Sequence, residues 1–127
     1  MLHNKHTLGK KERLKSRKAI DALFSGGHRF TVNPIRVFYQ PTKGTTLKFG
    51  VAVSTKLYKK AVDRNRVKRV IRECWRLQKN QLQEKLTGKG AGLDVFFVYT
   101  DRELPQYEPI FRTTGIILEK LNERMNG

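Results

Sequence analysis

Acidic side chains are scarce in this chain: 11 Asp and Glu stand against 27 Lys and Arg, a formal net charge of +16. The acids are also scattered, so the sequence lacks the neighbouring carboxylates with which a self-sufficient nuclease holds magnesium and activates water. Asp101 and Glu103 are the one pair at strand spacing, and they fall in an expected turn beside Arg102 and Pro105. No histidine is placed beside an acid or a plausible nucleophile. His3 and His6 have the spacing of a helical turn, but without a Cys or carboxylate cluster nearby they read as solvated side chains, not metal ligands. A single cysteine, Cys74, excludes an internal disulfide and reads as a packed thiol. No segment approaches the ~18 consecutive apolar residues of a spanning helix, and no apolar stretch follows the basic N-terminus as it does in a secretory leader. Residues 87–92, TGKGAG, lack the spacing of a phosphate-binding P-loop, and no strand precedes them. These absences point to a soluble, cytoplasmic, non-membrane protein that binds and does not itself catalyse.

What the chain has in excess is ordered positive charge. Polyanions are the natural partners of a chain with pI near 10.4. With 127 residues, 38% of them hydrophobic, it can bury a core as one RNA-binding domain over 1–127. Residues 1–15 read as an extended or partly ordered basic arm.

The charge concentrates between Lys56 and Arg76, KLYKKAVDRNRVKRVIRECWR. Val67, Val70, Ile71, Cys74 and Leu77 recur there at helical spacing and make one buried face. At about 100° per residue, Asn65, Arg69, Arg72 and Arg76 fall opposite, with Lys68 beside them and Arg64 and Arg66 flanking the first turn. Such a row of planar, permanently charged guanidinium groups suits a phosphate backbone. An ordinary solvated helix would intersperse its cations with acids at i±4, and here only Glu73 is available. The helix is expected to run to about Leu86 and to stop at the glycine-rich turn.

Upstream, Ser16 is placed to cap a short helix over about 17–24, with Ala19, Ile20, Leu23 and Phe24 on one side and Gly26 and Gly27 as the stop. Pro34 opens an alternating strand, Ile35 to Tyr39, and 41–46 reads as a turn before a second strand, Leu47 to Ser54. Taken as a hairpin, these two strands have one apolar face. Their other face carries Arg36, Phe38 and Lys48 among small residues, a floor on which an extended nucleotide strand can lie. Leu93 to Thr100 reads as a central strand of the same sheet, and Pro109 fits the first turn of a last helix.

Phe49 to Ser54, FGVAVS, followed by Lys56 and by Arg64-Asn65-Arg66-Val67-Lys68-Arg69, closely resembles the bacterial ribonuclease P protein subunit with its RNR signature. The order of elements from about Leu8 to Arg124 resembles that family too. The resemblance implies an α+β fold, a two-layer α/β sandwich with a mixed four-stranded sheet and a left-handed βαβ crossover, against the usual right-handed rule. It implies a subunit of a ribonucleoprotein endoribonuclease whose RNA cleaves the 5′ leader from precursor tRNA, with Mg2+ held mainly by the RNA and substrate. Its partners would be the catalytic RNA and precursor tRNA, with no obligate protein partner. Carried over by position, Lys56, Arg64, Asn65, Arg66, Lys68, Arg69, Arg72 and Arg76 would contact the catalytic RNA. Ile20, Phe24, Arg36, Phe38 and Lys48 would line the leader cleft. No catalytic residue or metal ligand is carried over. Two positions depart from the family's pattern: Ile20 replaces a common aromatic, and the loop over 55–63 is one residue longer, with Tyr58 where glycine often falls. A ribosomal or general structured-RNA-binding protein is the alternative that the charge alone allows.

Overall fold

The structure, a computed structural model, describes residues 12–125. His3 and His6 lie outside that range. The elements run α1 (Arg17–Gly26), β1 (His28–Val32), β2 (Ile35–Thr42), β3 (Leu47–Val53), α2 (Ala61–Gln78), α3 (Asn80–Lys89), β4 (Gly92–Tyr99) and α4 (Tyr107–Arg124). The four strands form one mixed sheet in the order β1-β2-β4-β3.

The sheet corrects the expected pairing of the two middle strands. Ile35 to Tyr39 and Leu47 to Val53 are not hairpin partners, because β4 lies between them, antiparallel to β2 and parallel to β3. The hairpin partner of β2 is β1, over residues to which the sequence pattern assigned no element; the two meet with Val32 opposite Ile35 and His28 opposite Tyr39. The physical reason lies in β4, whose apolar residues cover both faces and suit it to the centre of a sheet. A parallel neighbour of β3 also needs the long helical crossover that α2 and α3 supply. Strand β2 further extends to Thr42, so Pro41 and Thr42 lie in the strand and not in the turn.

Alternation along the strands sends one set of side chains to each face. Ile35, Val37, Phe49, Val51, Val95 and Phe97 face the main core. Val67, Ile71, Cys74 and Trp75 of α2 close on them, joined by Leu82 and Leu86 of α3 and by Ile117 and Leu121 of α4. The Phe49 and Trp75 rings stack at 4.3 Å with 9° between their planes, so one rigid pair locks α2 to β3. Cys74 is fully buried in this layer, and burial pushes its thiol up to about 11.

The basic helix is interrupted. Instead of running unbroken to Leu86 it ends at Gln78, and α3 starts at Asn80. The Gln78 side-chain amide donates to the carbonyls of Cys74 at 3.1 Å and of Phe111 at 3.0 Å, tying the end of α2 to α4. A side chain set into the i−4 carbonyl ladder is a recognised cause of such bends. Helix α3 then passes Thr87 and stops at Gly90, whose φ of 65° is the left-handed conformation a glycine C-cap supplies.

On the opposite face of the sheet α1 is the one helix among the described residues. It is capped as expected, with the Ala19 N–H donating to Ser16 Oγ at 3.2 Å. Its Leu23 makes a second, smaller cluster with Leu14 and Phe96, against which Ala19, Ile20, Phe38, Ala52 and Val98 pack.

Candidate nucleic-acid interface

Two surfaces emerge from this arrangement, one on each side of the sheet. The first is the outer face of α2. Its inner face is fixed by Val67, Ile71, Cys74 and Trp75, all buried, so the helical period turns Asn65, Arg69 and Arg72 outward, and all three are exposed. Asn65, Arg69, Arg72 and Arg76 line one groove of about 450 Å³, together with Glu73 and Arg13. Lys56 and Arg66 are also exposed, and Lys68 is half-buried.

The face is less uniform than the sequence implied. Arg64 is turned back into the protein: its guanidinium donates to the carbonyls of Tyr58 and Lys59, both at 2.8 Å. Arg76 is ion-paired with Glu73 one turn away, its Nε donating at 3.1 Å, and that hydrogen bond holds the Glu73 carboxyl below its ordinary range. Arg66 opens to the other side of the helix, onto a notch shared with Tyr107 and Arg112 of α4. Tyr58 is buried in the main core, 6.4 Å from the Tyr99 ring. The loop ahead of α2 therefore closes over an aromatic plug, and it is shorter than expected from the sequence, because Ala61 to Asp63 already form the first turn of α2.

The second surface is the sheet face that α1 only partly covers. Its rows follow from register. Thr31, Arg36, Val98 and Ala52 lie side by side, as do Arg29, Phe38, Phe96 and Gly50. Phe24 of α1 is 44% exposed and meets Phe38 edge-on at 4.7 Å and Phe96 at 5.5 Å. Arg29, Phe30, Thr31, Arg36 and Phe38 line a depression of about 280 Å³. An aromatic surface flanked by two arginines can stack a base and hold the phosphates on either side.

The structure thus brings Phe24, Arg36 and Phe38 together. Ile20 is half-buried against the Leu14, Leu23 and Phe96 cluster. Lys48 is exposed but stands apart: it lies a row further along, on the far edge strand and opposite Asp94. Burial raises the Asp94 carboxyl, and Lys48 acts against that shift. Sequence reasoning missed Arg29 and Thr31 because it missed β1, although the alternation of Phe30 and Val32 carried the signal. It also missed Arg13, for which no local pattern exists.

Among the described residues no three His, Cys, Asp or Glu side chains converge as a metal site. Asp101 accepts the Glu103 backbone N–H at 3.2 Å, a local turn contact. These residues do not fit a protein-held magnesium. Among the described residues, too, no helix is long and apolar enough to cross a membrane.

The family model of ribonuclease P matches residues 8–122. This chain belongs to the ribonuclease P protein family. A ribonuclease P protein component of Porphyromonas gingivalis is 35% identical over 123 residues, covering 94% of this chain and 87% of that one. Another, from Chlorobium phaeobacteroides, is 29% identical over 116 residues, covering 81% of this chain and 80% of that one. Among solved structures, a Staphylococcus aureus RNase P protein mutant with defective mRNA degradation activity superposes with a TM-score of 0.72 at 22% identity, covering 88% of this chain and 89% of that one. The Staphylococcus aureus RNase P protein itself gives 0.59 at 23% identity, covering 92% and 94%. The mixed four-stranded sheet with its helices is therefore the fold of ribonuclease P proteins, and the family is that of the protein component of a ribonucleoprotein endoribonuclease.

Proposed function

We propose that the chain, as one RNA-binding domain in the cytoplasm, binds the catalytic RNA of ribonuclease P and the 5′ leader of precursor tRNA, supporting removal of that leader. The observation that carries this reading is the pairing of two unlike surfaces on one small sheet: the cationic outer face of α2, and the aromatic floor of Phe24, Phe38 and Phe96 beside Arg29 and Arg36.

On the first surface Lys56, Arg66, Lys68, Arg69 and Arg72 neutralise phosphates of the catalytic RNA and the Asn65 amide hydrogen-bonds to them, with Arg76 contributing alongside Glu73 and Arg64 holding the neighbouring loop. On the second, Phe24 and Phe38 stack on leader bases while Arg36 meets the backbone. Ile20 supports this floor from α1, and Lys48 acts further along the leader's path. Magnesium is assigned to the RNA and substrate, where it supplies the charge needed for phosphodiester hydrolysis. The protein's part is to lower phosphate repulsion and fix the substrate, so no protein group need attack or protonate. No obligate protein partner is needed for this role.

The test is equilibrium binding. The protein should bind the catalytic RNA with a steep salt dependence, and its complex with that RNA should hold leader-bearing precursor more tightly than mature tRNA. Equal affinity for the two tRNAs would favour a general structured-RNA-binding protein instead.

A further inference from the structure

The segment ahead of α1 is clamped to the body of the protein from two sides. Leu14 is 6% exposed, and its N–H donates to the Phe49 carbonyl at 2.9 Å. Gly50 makes this approach possible, since a Cβ there would lie 3.0 Å from the Leu14 carbonyl oxygen and 2.7 Å from the Phe96 ring. One residue earlier, Arg13 forms a parallel bridge with Phe49. Next to it, Glu12 is ion-paired with Lys79, a lysine only 4% exposed at the junction of α2 and α3.

Arg13 is thereby held between two anchored neighbours and is itself exposed. Its side chain walls the groove whose other side is Asn65, Arg69, Arg72 and Arg76 of α2. Four guanidinium groups thus surround one concavity. Among the described residues one acid lines it, Glu73, and it is already engaged by Arg76. Arg13, Arg69 and Arg72 have no ion-pair partner among the described residues. Like charges gathered this way repel one another, and an anion between them turns that cost into attraction. Guanidinium forks suit phosphate oxygens in particular.

We propose that this groove seats backbone phosphate of the catalytic RNA and that Arg13, delivered by the clamped segment, is the ligand that completes it. The inference rests on the reading of α2 as the catalytic-RNA face. It adds a contact from outside the helix and gives the Glu12–Lys79 pair a role in positioning it. Because the same segment passes on to Leu14 beneath α1, it joins the catalytic-RNA side of the molecule to the leader side.

The experiment uses the full chain and the catalytic RNA, with affinity measured across a salt series for Arg13→Ala, Arg72→Ala, their double variant, and Arg66→Ala as a reference outside the groove. Arg13→Ala should bind about tenfold more weakly, as loss of a charge-assisted contact implies, with a salt slope shallower by ~0.7 to ~0.9. Its preference for leader-bearing over mature tRNA should be unchanged. The double variant should lose less than the product of the two single losses, because the two side chains share a phosphate. Wild-type affinity and slope in Arg13→Ala, with Arg66→Ala weakened, would overturn the groove and leave the α2 reading standing. If neither single variant changes binding, both fail together. Loss confined to the discrimination between precursor and mature tRNA would overturn the assignment to the catalytic RNA, since the phosphate would then be the substrate's.

Discussion

One guanidinium nitrogen of Arg64 reaches the backbone carbonyls of both Tyr58 and Lys59, at 2.8 Å each. The first arginine of the RNR sequence is therefore a brace for the loop that leads into α2. Removing it leaves two carbonyls without a charged donor, one of them on the residue whose ring plugs the core. Arg64→Ala should lower folding stability by about 1.5 to 3 kcal/mol, read as a lower denaturant midpoint, and should weaken catalytic-RNA binding indirectly. Arg66→Ala should leave stability within about 0.5 kcal/mol of wild type while making the salt dependence of RNA binding shallower by ~0.7 to ~0.9. Equal stability of the two variants would refute the brace.

Phe38 sits in the middle of the open sheet face, with Phe24 edge-on against it. Phe38→Ala should cost about 1 to 3 kcal/mol in affinity for leader-bearing precursor while leaving mature tRNA unaffected. Binding to both RNAs, in the presence of the catalytic RNA, is the measurement. A loss shared equally by both would mark damage to the fold instead of a missing stacking platform.

Gly50 is a position where the absence of a side chain is structural. Gly50→Ala places a methyl group against the Phe96 ring and the Leu14 carbonyl, and such overpacking costs about 1 to 3 kcal/mol. The variant should also release residues 12–14, seen as faster amide exchange at Leu14, whose N–H is bonded to Phe49. Unaltered exchange at Leu14 would show that the segment is not held there by close approach.

Much of this was legible in the sequence because it depends on local period. The buried and cationic sides of α2 follow from helical spacing, and the aromatic floor follows from the alternation of Arg36 and Phe38. Strand order is another matter. Nothing between residues 35 and 54 announces that β4, some forty residues later, will separate those two strands. The break at Lys79 has no glycine or proline to signal it; it reflects the tie from Gln78 to Phe111 across the core. Arg13 joins the groove through Phe49, Gly50 and Lys79, distant partners that no window of sequence contains.

Cys74 gives the protein a pH signature. Its thiol ionises near 9.0 when unfolded and is pushed up to about 11 by burial in the fold. Below pH 9 both states hold the proton, and stability is unaffected. Between pH 9 and 11 the unfolded chain releases it and the native state does not, so stability falls as pH rises. The full loss is on the order of 2 to 3 kcal/mol. Cys74→Ala should flatten that decline in a pH series of unfolding curves, and the native protein should resist thiol reagents at pH 8 until it unfolds. Rapid modification of folded protein would contradict the buried position.

Cleavage of a 5′-leader precursor tRNA at low magnesium tests the central claim most directly, with catalytic RNA alone, protein alone and the two together. Rapid cleavage at the mature 5′ end is expected only in the mixture. Cleavage by protein alone would contradict that claim by revealing an active site in this chain, and a mixture no faster than RNA alone would contradict it by removing the protein from the reaction.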